Sequence, residues 1–443
     1  MVFGIALLER RLASLRTDWQ RWTKPWHLAY ALLGAVIGGL MPILLPLAMH
    51  QRGGAAQVGL VMAALNLGGL FSPLWGALAD RTRLYRWLLV GGLLATALGI
   101  LLFVFTQGVL AWYILALVQG MGAAAVATLA NLLVVETHPR REWDERIGWL
   151  QTAYGAGQVV GLLLAGLLSR AHPSLGFLVA AGLTALALIP GWRAPSSPVR
   201  APGVRVRPLL NLVRHTRWHP SAPLRYFHFP RRLPFRHFKV ILGSPFGIFL
   251  LSWFLVLSGS IGFFALYPVL MEQAFQVDAA LSSTAMAVAV GLGLFLYPLA
   301  ARWSERIGPV RVFRSALTVR LLIFLAISVL GLLPIPGRGW LALIVFTGVV
   351  LSWSLLSVSG TALTAHISPV GEGEGLGFFN ATAALAGVVG SGVAGRIAAQ
   401  WGYPAVPLFS AAGVGLGLLL LLALPQDPPE NSTQQAISPP EPP

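Results

Sequence analysis

The chain has 443 residues, of which 56% are hydrophobic and only 10% charged, with a formal net charge of +16 and no cysteine. A soluble domain carries about 25% charged residues, so this composition excludes a water-soluble globular protein. The absence of cysteine excludes disulfides, thiolate metal sites and cysteine nucleophiles. The apolar residues fall in blocks of about 20, long enough to cross a bilayer as helices that satisfy their own backbone polar groups in lipid.

In chain order, residues 1–26 ("LERRLASLRTDWQRWTKPW" within them) form a basic amphipathic segment with no small-residue cleavage site. Twelve spans are then predicted, at 27–49, 55–79, 87–106, 109–136, 147–170, 174–192, 245–271, 281–301, 312–332, 339–364, 374–396 and 404–424. They divide into a first six-helix bundle over 27–192 and a second over 244–424. Residues 193–243 between them are rich in Pro, Arg and aromatics. That segment reads as a linker on an anionic leaflet, with Trp218, Tyr226, Phe227, Phe229 and Phe235 dipping into the interface. Residues 425–443 ("PQDPPENSTQQAISPPEPP") read as a disordered Pro-rich tail.

The placement of charge sets an expected orientation. With both termini cytoplasmic, 26 of the 31 Lys and Arg residues lie on the cytoplasmic side, a strong positive-inside bias. The net charge therefore reads as topology and contact with anionic lipid, and no nucleic-acid partner is expected. No P-loop and no His-Glu-x-x-His pattern occurs, so neither an ATP-driven pump nor a metalloenzyme is expected, and no cofactor or metal is implied.

The two halves resemble each other. "SPLWGALADR" (72–81) aligns with "YPLAARWSER" (297–306), and "GWLQTAYGAGQVVGLLLAG" (148–166) with "GFFNATAALAGVVGSGVAG" (377–395). This order implies a duplicated six-helix unit with two pseudo-symmetric bundles. In the loop after the second span, Gly76 would let two helices approach closely. Asp80 would accept hydrogen bonds at a helix end, and Arg81 offers a planar fork to a carboxylate. With Arg86, and with Glu305, Arg306 and Gly308 in the repeat copy, these residues read as a cytoplasmic latch that closes in one state and breaks in another. Glu136, at the end of span 4, and Arg146, at the start of span 5, are its expected ionic partners.

These features resemble the major facilitator superfamily over about residues 27–424. The loop pattern of that family, Gly-x-Leu-Ala-Asp-Arg-x-Gly-Arg, is matched at Gly76, Leu78, Ala79, Asp80 and Arg81, with Arg83 where the second Gly stands and Leu84 where an Arg is usual. The repeat copy keeps Glu305, Arg306 and Gly308 but has Ala301 for the first Gly. Exporters of the family carry spaced glycines on span 5. Here Gly148, Gly157, Gly161 and Gly166 fit that spacing, with Leu162 for the Pro and Ala165 for a Gly. The resemblance implies an all-α polytopic fold of 12 transmembrane helices in the plasma membrane, working as a monomeric secondary transporter of small molecules by alternating access.

At mid-depth the cargo helices carry almost no ionisable residue. Neutral candidates for the substrate cavity are Gln119, Asn131, Tyr154, Gln158, Tyr267, Trp353 and Asn380, an aromatic and weakly polar set suited to hydrophobic or amphipathic cargo. Arg320, roughly two turns into span 9, is expected to snorkel to the near interface. Proton coupling would fall to Glu136 and His366. The leading expectation is an exporter, with proton exchange as its coupling. The alternatives are an uptake carrier of the same fold, or a non-transporting sensor or assembly factor that holds a partner through the 193–243 linker.

Overall fold

Helix-forming blocks of Leu, Ala, Val and Gly dominate the chain, and the computed structural model is all-helical over the residues it describes, 24–139, 142–170, 173–196, 240–241, 243–333, 335–370 and 372–422. The basic N-terminal segment, most of the 193–243 linker with its five aromatic anchors, and the tail lie outside the described residues. Among the described residues, eleven helices are long and apolar enough to cross a membrane. The first covers His27–Ala79, 53 residues, which at 1.5 Å per residue is about 80 Å, more than twice a bilayer core. It breaks at Gly54, whose φ of 74° and ψ of −171° are not helical. It is therefore two passes, span 1 over 27–53 and span 2 from 55, the latter bending at Leu70–Phe71 and finishing as Ser72–Thr82. The remaining spans are span 3, Tyr85–Phe105; span 4, Val109–Thr137; span 5, Trp143–Leu168; span 6, Pro173–Leu186 with Leu188–Gly191; span 7, Pro245–Phe275; span 8, Ala279–Ile307; span 9, Pro309–Leu332; span 10, Arg338–Ile367; span 11, Glu372–Trp401; and span 12, Ala405–Leu422.

Span 1 contains a π segment, Gly34–Leu40, that periodicity does not predict. It lies where span 1 packs against span 5. A Cβ on Gly157 would lie 1.9 Å from the Ala31 carbonyl oxygen, and one on Gly161 would lie 1.9 Å from that of Ala35. The two backbones touch because these positions carry no side chain, and a wider turn accommodates the approach.

The connections at 82–84, 138–139, 307–309 and 368–370 fall at one end of the bundle, called here the basic end because Arg81, Arg83, Arg302, Arg306 and Arg311 are exposed around it. The turns at Gly54, Thr106–Gly108, Gln276–Asp278, Gly337 and Gly402 fall at the opposite end. Large apolar side chains such as Leu110, Phe295 and Trp340, at 72%, 81% and 63% exposure, form the outer surface, as expected where lipid is the solvent. Gly308, at φ +88°, ends span 8 and starts span 9, a conformation that glycine adopts without strain.

Candidate functional site

The first six spans and the last six meet mainly along two seams, span 2 against span 11 and span 5 against span 8, with span 7 also packed on Met41–Gly69. Both seams are sealed toward the opposite end. There the Arg170 guanidinium pairs with the Asp278 carboxylate at 2.9 Å, and the Tyr403 hydroxyl and His50 Nδ1 are 2.8 Å apart. One level deeper, a Cβ on Gly59 or Gly395 would come within 2.6 Å of the other's Cα, Asn66 Nδ2 donates to Ser391 Oγ at 3.3 Å, and the Ser283 hydroxyl donates to the Leu162 carbonyl. Near mid-length the seams end at Gly155 against Leu294 and Gly69 beside Ala384.

Past these points the same helix faces continue toward the basic end as exposed surface. Gln151 lies one turn beyond Gly155, Asn380 one turn beyond Ala384, and Tyr297 one turn beyond Gly293, which packs on Ser354; all three are exposed. The result is a cleft between the two sets of helices, closed at the opposite end and open at the basic end. On its first wall Asn131 Nδ2 donates to the Ala127 carbonyl at 2.8 Å, and Gln151 Nε2 donates to Asn131 Oδ1 at 3.5 Å. The Tyr30 hydroxyl is within hydrogen-bonding reach of both amides, and its ring lies 5.0 Å from that of Tyr154. Tyr154 and Gln158 are half-buried against Gly38. On the second wall the Tyr297 hydroxyl reaches Ser354, Ser357 and Trp353. Trp353 is 38% exposed and stacks at 6.1 Å on Trp253, which stacks at 4.6 Å on Phe379.

Two of the expected cavity residues lie elsewhere. Gln119 is fully buried against Gly99 of span 3. Tyr267 is also buried: it donates to the Ser282 carbonyl at 2.9 Å and stacks on Phe346 at 4.0 Å, in the sealed half. Both are occupied by helix packing, which their sequence positions could not reveal. Arg320 does not snorkel. It is fully buried, and gives Nε to Ser260 Oγ at 3.1 Å and Nη1 to the Val349 carbonyl at 3.0 Å and Ser352 Oγ at 2.9 Å. Acceptors on spans 7 and 10 replace the water it would otherwise reach, and its guanidinium carbon lies 5.6 Å from the centre of the Phe324 ring.

The expected latch residues are spread over the open end. Arg81, Glu305 and Arg306 are exposed, and the side chain of Asp80 lies outside what is described. Gly76 has only Thr128 Cγ2 at 3.8 Å from a Cβ, so no close approach requires glycine there. Arg86 turns away from the cleft: its Nε donates to the Ala194 carbonyl at 2.7 Å and its guanidinium carbon lies 5.9 Å from the centre of the Trp192 ring, tying span 3 to the end of span 6. Glu136 is 9% exposed, and His366 is exposed at the end of span 10. Arg146 pairs at 2.9 Å with Glu142, one turn back on its own helix. Glu142 was missed in the sequence because nothing distinguished it from neighbouring acids. His138, between spans 4 and 5, is held below the usual histidine range by burial first and by Arg146 next. Of the four span-5 glycines, Gly157 and Gly161 touch span 1 and Gly166 faces Ala280, while Gly148 has open space around it.

This architecture is matched by a family model described as Major Facilitator Superfamily over residues 26–358. The chain belongs to the major facilitator superfamily. No curated protein matches it. Among solved structures it is similar to a mutant of the nucleoside transporter NupG, with 15% identity, TM-score 0.73, and 90% of this chain and 98% of that one covered. It is similar to a mutant of the peptide transporter POT in complex with sulfate at 16% identity and TM-score 0.69, covering 90% and 93%. It is also similar to the D-xylose-proton symporter at 13% identity and TM-score 0.62, covering 91% and 96%. At these identities the likeness is one of fold.

Proposed function

We propose that this superfamily member is a secondary carrier that works by alternating access, described here in the state open at its basic end. The observation that carries the reading is the one-sided seal between the two sets of spans. Polar and glycine contacts crowd one end, while the same helix faces stand open at the other. A bistable interface of this kind is what alternating access requires. Because the basic end holds most of the Lys and Arg residues, we take it to be cytoplasmic, with both termini there and the chain in the plasma membrane. Closing that end would bring the loop of Asp80 and Arg81 toward that of Glu305 and Arg306, the proposed latch.

The cargo is small and amphipathic, in keeping with the amide and aromatic walls. Export is our preferred direction, supported by the resemblance of span 5 to the glycine pattern of exporters. Uptake is the second reading, favoured by the likeness to the D-xylose-proton symporter. Glu136 and His366 remain the proposed proton-coupling groups, both near the end that opens.

The test uses a chain that contains no cysteine, so introduced thiols label cleanly. Spin labels at Leu84→Cys with Ile307→Cys report the basic end, and labels at Gln51→Cys with Ile335→Cys report the opposite end; all four positions are exposed. The carrier reading expects two distances at each pair, whose populations move in opposite senses as pH or ligand changes. A single fixed distance at both ends under all conditions would overturn it.

A further inference from the structure

We infer that the cleft binds an uncharged heterocycle, a flat ring with hydrogen-bond donors and acceptors on its edge, in preference to a lipophilic cation or an organic anion. This rests on the carrier reading and narrows its cargo. Trp353 supplies the face. One side of its indole is packed on Trp253, itself stacked on Phe379 with the planes 9° apart, and the pile fixes the ring before any ligand arrives. A preset aromatic face stacks a flat ring with little further ordering cost.

The edges come from amides. Gln151 on span 5 and Asn380 on span 11 are both exposed where the seams part, and Asn131 is already half-committed to Ala127 and Gln151. Each primary amide presents a donor and an acceptor in one plane, which matches the amide or imide edge of a heterocycle. Across the cleft the Tyr297 hydroxyl and Ser357 add rotatable donor–acceptor groups. A carboxylate or phosphate cargo wants convergent Arg or Lys, and a cation wants a carboxylate; none of these six side chains carries a charge. The buried cation on the second set, Arg320, gives Nε and Nη1 to Ser260, Val349 and Ser352 and leaves Nη2 without a partner, but with no exposed surface it presents no charge to the cleft.

The experiment is equilibrium binding to the purified full chain, read by thermal shift and by radioligand filtration. The probes are uridine and hypoxanthine as uncharged heterocycles, benzoate as the anion, glucose as a non-aromatic polar ring, and tetraphenylphosphonium as the cation. Binding to the native state raises its melting temperature, so the heterocycles are expected to do so and the others not. Trp353→Leu should weaken heterocycle binding about tenfold or more, the size of a lost stacking contact, while Trp353→Phe keeps it within a few-fold. Gln151→Leu, at an exposed site, should weaken it comparably without touching the aromatic pile.

Tighter binding of tetraphenylphosphonium, benzoate or glucose than of either heterocycle overturns the inference, as does no heterocycle binding at millimolar concentration. So does heterocycle binding that ignores both Trp353→Leu and Gln151→Leu. Each of those results leaves the carrier reading standing, because that reading fails only if the spin-label distances never exchange.

Discussion

Arg83 ends span 2 with φ at 56° and ψ at 22°, and its N–H bonds to the Ala79 carbonyl at 2.8 Å. A side chain with a Cβ pays roughly 1–2 kcal/mol for this left-handed conformation, and the family's loop pattern has glycine at this place. Arg83→Gly removes that strain but loosens the unfolded chain, so it should be neutral or stabilising by up to about 1 kcal/mol. Arg83→Val, with a β-branched side chain at positive φ, should destabilise by more than about 1 kcal/mol. Thermal unfolding in detergent measures both, and equal melting temperatures for Val and Gly would mean the loop does not hold this φ. The missing glycine was legible in the sequence as a departure from a pattern; the strain it causes was not. Arg320 shows the same limit. Its presence in an apolar span is plain from the sequence, but its acceptors lie on spans 7 and 10, 29 to 60 residues away along the chain, and no local pattern records them.

At the scale of the helix, periodicity and length place the spans closely because a bilayer sets both. Span 4, expected at 109–136, is Val109–Thr137. What they miss is how two helices touch. Span 5 offers four glycines at similar spacing, and only the fold separates them. Gly157 and Gly161 lie against span 1 carbonyls with no room for a methyl group, whereas Gly148 meets nothing within 4 Å. Gly157→Ala and Gly161→Ala should each force the span 1–span 5 contact apart and cost more than about 1 kcal/mol, the low end for overpacking. Gly148→Ala should instead gain up to about 1 kcal/mol from helix propensity. Thermal melts of the three single variants read the signs directly, and a uniform loss across all three would show that spacing, not contact, sets the role of these glycines. The π segment of span 1 belongs to the same contact, which is why it too was invisible in a sequence that reads there as ordinary helix.

The whole molecule was legible as two similar halves with a basic end, because duplication and charge bias are written along the chain. Which end is closed was not, since that depends on pairs such as His50 with Tyr403 that are 353 residues apart. The pair of Arg170 and Asp278 offers a handle on that equilibrium. Asp278 also caps span 8, accepting from the Leu281 N–H at 2.8 Å. Its carboxyl is held below the usual range by that backbone bond first and by Arg170 next. A depressed carboxylate contributes above its ordinary pKa and loses the contribution as pH falls through the lowered value. The cap survives when the halves part, so only the Arg170 share favours the closed state. Both side chains are well exposed, at 75% and 54%, so screening limits that share to about 0.5–1 kcal/mol. Asp278→Asn keeps a good cap residue and removes the charge. It should shift the opposite-end spin-label population toward the open distance by roughly two- to fivefold at neutral pH. Arg170→Gln should match it, and the double variant should add nothing further if the two act as one pair. Acidification through the carboxylate range should produce this shift in the parent chain, and Asp278→Asn should lose that part of the response while keeping what Glu136, His366 and His50 contribute. If Asp278→Asn leaves the distance distribution unchanged while the parent still responds to acid, the closing charge lies elsewhere on that face, with Glu272 beside Tyr403 the next residue to replace.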